Sequence, residues 1–128
     1  MKAGDATSID PHSLVHRLGG TGIDNLRPKA AEYALLPLGI SVLIGGTAAE
    51  AAEQMRRAFP RSLKWGRGGV LTVGTADIDS IRLAGFDVIA DPTTRFPNHG
   101  RLIHPDDAAG FSDENLDRLA RAFVDHEE

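Results

Sequence analysis

The chain has no cysteine among its 128 residues. That excludes a disulfide framework, a thiolate zinc site and a cysteine nucleophile, and it fits a reducing cytoplasm. No apolar run approaches the roughly 20 residues that span a bilayer, so no membrane partner is expected. The opening MKAGDATSIDPHS lacks an apolar core, so a secretory signal is not expected. Excess positive charge is missing too: the formal net charge is −4, which argues against nucleic acid or an anionic membrane as the partner. There is no G-x-S-x-G elbow, no internal repeat and no low-complexity segment. What remains is a chain 41% hydrophobic and 25% charged, the composition of one globular domain with a real core.

The pattern of elements follows from local signals. Residues 1–13 are polar, interrupted by Pro11, and read as a flexible or loosely docked arm before a single domain over 14–128. A first strand is expected over 14–18, stopped by Gly19-Gly20. The loop GGTGIDNLRPK follows, then one or two helical turns over 29–36, ended by Pro37. A buried strand is expected over 39–44. After Gly45-Gly46, Thr47 and Glu50 have the spacing of a capping box, opening a helix over 48–58 that turns Ala52, Met55 and Phe59 inward and exposes Arg56 and Arg57. A short strand over 70–73 precedes a helix over 76–84 capped by Thr75, with Ile78 and Ile81 inside and Gly85 at its C-terminal end. Strands over 86–90 and 100–103 follow. The last helix runs over 113–124, capped by Ser112, with Leu116, Leu119, Ala120 and Phe123 on one face. The expected fold class is α+β: one domain with a mostly antiparallel sheet and three to four packed helices.

The stretch from Gly85 to Pro105 concentrates function-bearing residues, with Asp91, Arg95, His99, Arg101 and His104 near the ends of two β-like segments. Several other groups have the right chemistry for a site. Gly45-Gly46-Thr47 stands where amides at a helix N-terminus can meet phosphate, though without the lysine of a P-loop. His12 with His16, and His99 with His104, do not reach a metal-ligand set on spacing, and no metal is expected. Arg56, Arg57, Arg61, Lys64 and Arg67 surround Trp65 in a basic segment that could meet nucleic acid, though in a net-acidic chain such a segment is more often a solvated face or a surface for a protein partner.

One constellation draws on separate strands. Arg17 lies at the end of the first, Ser41 in the middle of the second, and His99 at the start of the last. Arg17 suits a phosphate beside the Gly19-Gly20 turn, His99 suits proton transfer or a ribose hydroxyl, and Ser41 suits orienting either. The bland alternative is a core hydroxyl, a surface arginine and a turn histidine. The constellation requires that Arg17 and His99 reach one cleft and do not stand on opposite faces of the sheet. On that reading Arg17→Ala weakens ligand binding and leaves the fold intact.

The succession His16-Arg17-Leu-Gly-Gly, Asp24-Asn-Leu-Arg-Pro28, Gly39-Ile-Ser-Val42 and Pro97-Asn-His-Gly-Arg-Leu-Ile103 resembles small ADP-ribosyltransferase-like bacterial toxin domains. The second half is also similar to a group of short bacterial proteins. The resemblance covers residues from about Leu14 to Pro105. It implies NAD as the bound substrate, Arg17, Gly19 and Gly20 as its binding residues, Ser41 and His99 as catalytic residues, and a toxin held by a cognate antitoxin. The reactions it implies are ADP-ribosyl transfer or NAD glycohydrolysis. The chain departs from the pattern in having Ile40 before the serine, no second Arg-Pro after Pro28, and no Glu-x-Glu pair in a late strand. The contrasting expectation is a non-catalytic interaction module, using the basic segment 56–67 or the final amphipathic helix to hold a protein.

Overall fold

The computed structural model describes residues 9–34, 37–62 and 70–128. Its centre is a six-stranded sheet in the order β4-β5-β2-β1-β3-β6, antiparallel at every pairing. The strands are β1 Leu14–Leu18, β2 Gly39–Ile44, β3 Thr72–Asp77, β4 Asp87–Ala90, β5 His99–Ile103 and β6 Val124–Glu127. The helices are α1 Ile23–Leu26, α2 Ala48–Ala58, α3 Ile78–Leu83 and α4 Asp113–Ala120, with 3₁₀ turns at Glu32–Ala34 and Asp107–Phe111. The α+β class and the antiparallel sheet are as the sequence implies.

Alternation along the strands sorts the side chains onto two faces. Val15, Ile40, Val42, Ala76, Val88 and Leu102 point to one face, where Leu26 of α1, Ile78 and Ile81 of α3, and Leu116 and Leu119 of α4 close the larger core. Leu43 and Val73 point to the other face and meet Ala48, Ala51 and Ala52 of α2. Alanine has a short side chain, so α2 can lie close to the strands there. Its start carries the capping box, with Thr47 Oγ1 accepting from the Glu50 amide and Glu50 returning to the Thr47 amide.

Several boundaries differ from those expected. The third strand runs on to Asp77, because residues 73–77 pair with all of β1, and Asp77 rather than Thr75 caps α3 by accepting from the Ser80 amide at 2.8 Å. Thr75 instead hydrogen-bonds His16. The last helix stops at Ala120, and residues 124–127 leave it to pair with β3 as an edge strand. Phe123, placed on that helix by its spacing, is buried from the turn between the two. At the other end, Ile9 packs against the larger core, so the arm is docked by its last residues, while residues 1–8 lie outside those described. Of the turns expected over 29–36, Glu32–Ala34 is a 3₁₀ turn and residues 35 and 36 lie outside those described.

Candidate functional site

β1 and β2 begin as ordinary neighbours and then part. Their ladder holds only Val15 opposite Ile44 and His16 opposite Leu43. Beyond it, two side chains satisfy the β2 backbone in place of β1. Arg17 Nη1 donates to the Ser41 carbonyl at 2.7 Å, and the Ser41 amide donates to Glu32 Oε2 at 2.7 Å. Arg17 and Glu32 form an ion pair at 3.6 Å, with 6% and 8% of their surfaces exposed. The Arg17 Nε and Nη2 groups both donate to the Asn25 carbonyl, and the Lys29 amide donates to Glu32 Oε1. Burial draws the guanidinium below its ordinary value, and the Glu32 charge opposes that shift. The pair is a wedge that fills the gap between two strands.

The gap opens into a cavity of about 370 Å³ beside the C-terminal end of α2. Its walls come from Arg17, Leu18, Asn25 and Lys29 on one side, Ser41, Val42, Leu43 and His99 at the base, and Met55, Phe59, Thr93 and Phe96 above. Arg17, Ser41 and His99 therefore line one cavity, although they do not share one face of the sheet. The register puts Ser41 and His99 on the α2 face and Arg17 on the opposite one, so the condition set for one Arg17–Ser41–His99 site is not met; Arg17 reaches the cavity wall only because the strands part. It is also buried and bonded to protein, which overturns the expectation that Arg17→Ala leaves the fold intact.

His99 is anchored at one ring nitrogen. Its Nδ1 donates to the Asp91 carbonyl at 2.8 Å, since a carbonyl can only accept. The neutral ring then carries a lone pair on Nε2, which has no partner among the described residues. The Asp91 carboxylate lies 3.7 Å from the same Nδ1 and 3.2 Å from Arg101 Nε. The Ser41 hydroxyl has no hydrogen bond among the described residues either. On the paired strands Ser41 stands opposite Arg101 and Leu43 opposite His99, which makes Ser41 and His99 diagonal neighbours on one face.

Other candidates have structural partners. Gly19 and Gly20 are not in the cavity wall; both have positive φ, and a side chain at Gly20 would run against Thr72 and the Asp125 carboxylate. At Gly45-Gly46-Thr47 the Thr47 amide already meets Glu50, and His16 Nε2 donates to the carbonyls of Gly45 and Gly46 at 3.2 and 3.1 Å. With Nδ1 accepting from Thr75, His16 has no lone pair left for a metal. Burial holds its ring below the ordinary value near 6.5, against the raising effect of those two carbonyls and of Glu50. His104 packs edge-on to Phe86 at 4.9 Å and accepts from the Asp106 amide. Among the described residues no group of three or more His, Asp or Glu could hold a metal ion. No described helix is long and apolar enough to cross a membrane. Of the basic segment, Arg57 pairs with Glu53, Arg56 donates to the Glu128 carbonyl, and 63–69 lie outside the described residues.

Sequence reasoning placed Met55 and Phe59 in the core; both are half-buried and line the cavity. It missed Phe96, Thr93, Lys29 and Asn25. Phe96 had a signal, an aromatic ring in the polar run PTTRFPN, away from any apolar stripe. A tight turn fixes it: the Phe96 amide donates to Thr93 Oγ1 and the Thr93 amide to the Phe96 carbonyl. Its ring then stands 6.2 Å from that of Phe59, tilted by 40°. Comparison with family models, with curated proteins and with solved structures finds no match to this chain.

Proposed function

We propose that the chain binds NAD in the cavity between β2 and α2 and acts on it as an ADP-ribosyltransferase-like enzyme. The observation that supports this is the meeting, in one mostly apolar cavity, of two aromatic rings with an unpartnered Ser41 hydroxyl and an unpartnered imidazole nitrogen of His99. Apolar walls with a few convergent polar groups suit a small planar ligand. Phe59 and Phe96 offer ring faces and edges to a base or a nicotinamide. Lys29, on the rim, offers a positive charge to a phosphate.

The carboxylate that usually activates an acceptor has no counterpart in the cavity wall, since Glu32 is committed to Arg17, to the Ser41 amide and to the Lys29 amide. Proton transfer falls to His99. The bond from the ribose anomeric carbon to the nicotinamide nitrogen breaks and nicotinamide leaves with the electron pair. A water or acceptor hydroxyl bonds to the same carbon and gives its proton to His99 Nε2. With water the reaction is NAD glycohydrolysis, and with a hydroxyl acceptor it is ADP-ribosyl transfer. A toxin controlled by an antitoxin is the biological setting this chemistry would serve.

Calorimetric titration with NAD, coupled to nicotinamide release, tests the reading. We expect binding by the intact chain, and near-unchanged binding with at least a hundredfold slower release in His99→Ala. Absence of binding at millimolar NAD overturns the reading. The alternative of a module that docks through its final helix loses support, because Leu116 and Leu119 of α4 are fully buried.

A further inference from the structure

A second hollow of about 540 Å³, formed by α2 and the turn between β4 and β5, adjoins the first cavity: Phe96 lines both. The second hollow is lined by Glu50, Glu53, Gln54, Arg57 and Arg95. Its carboxylates already have work: Glu50 accepts from the Thr47 amide at 2.9 Å, and Glu53 pairs with Arg57 at 3.3 Å. Gln54 exchanges hydrogen bonds with the Asn98 amide. Arg95 differs from all of these. Its guanidinium carbon rests 5.0 Å from the centre of the Phe59 ring, and it has no carboxylate partner among the described residues. Since Phe59 lines the first cavity, Arg95 is a cation held by a ring at the junction of the two.

A guanidinium stacked on a ring keeps its N–H groups at its edge, free to meet an anion. Ligand sites run from about 300 to 1,000 Å³. The first cavity alone suits a nucleoside-sized body, and the two together approach the upper end of that range. We infer that the ligand continues from the first cavity over Phe96 into the second hollow and lays its phosphate groups against Arg95. This rests on the NAD reading above. It assigns to Arg95 the anion contact that Arg17, committed to Asn25, Ser41 and Glu32, leaves open.

The test titrates the intact chain and Arg95→Gln with NAD, with phosphate-free nicotinamide riboside and with inorganic pyrophosphate. Arg95 is exposed and outside both cores, so Arg95→Gln should melt with the unaltered chain, and Arg95→Lys should recover part of any loss. The expected result is NAD held at least tenfold more tightly than the riboside, with that margin lost in Arg95→Gln and riboside binding unchanged. Equal NAD binding by the two proteins overturns the inference and leaves the first-cavity reading standing. Pyrophosphate lost in Arg95→Gln while NAD is unaffected also overturns it, as an anion site separate from the ligand. NAD unbound by the intact chain at millimolar concentration overturns both readings.

Discussion

On one face of the sheet, Ile78, Ile81, Leu116 and Leu119, carried by two of the three helices there, are fully buried against β1, β2, β4 and β5. On the other, α2 meets the strands through alanines, and its larger side chains, Met55 and Phe59, come after that contact and stop short of closure. One face is filled by bulky aliphatic side chains and gives the domain its stability. The other is filled close to the helix start and left open near the helix end. That asymmetry places the cavity, and the buried Arg17–Glu32 pair keeps it open by holding β1 and β2 apart.

The largest expected effect comes from breaking the wedge. Glu32→Ala leaves the Arg17 guanidinium buried and unpaired, which costs about 3–5 kcal/mol. The urea midpoint should fall accordingly, and a midpoint within experimental error of the intact chain would show that the pair is not what holds the strands. The two faces can then be set directly against each other. Leu119→Ala on the filled face should cost about 2–5 kcal/mol, whereas Phe96→Ala on the open face, which removes a ring only partly buried at the cavity wall, should cost less while weakening ligand binding. Equal losses of stability would remove the distinction between the faces.

The smallest effect is in pH dependence and belongs to His16, on the open face beneath the start of α2. Its folded pKa is lowered, so the unfolded chain binds the proton more readily. Stability from this group is complete above about pH 6.5, the unfolded value, and declines as pH falls through the window below it. Melting temperature measured from pH 7.5 downward should therefore fall below pH 6.5, and His16→Asn should flatten that slope. An identical slope in the variant would assign the dependence to other groups.

Much of this was legible because it is local. The capping boundaries at Thr47 and Ser112 are read from residues three apart, and both are formed. The apolar spacing of Leu116 and Leu119 places their face in the core as expected. Arg17, Ser41 and His99 were collected because each belongs to a separate expected strand. That all three line one cavity was legible, but the face and the role of Arg17 were not. An arginine destined for a buried ion pair looks in sequence like an exposed one, and its partner Glu32 sat unremarked in a polar connection.

The chain by itself determined where α2 and α4 start, which strand residues alternate, and that an antiparallel α+β sheet results, since caps and periodicity act over a few residues. Tertiary structure decided what depends on partners far away in sequence. Residues 124–127 became a strand because the edge of β3 was free to pair. Thr75 lost its capping role to Asp77 because β1 continued the ladder past it. The cavity exists because Arg17 and Glu32 replaced backbone pairing between β1 and β2 with charged side chains, a substitution that only the proximity of three separate segments makes favourable.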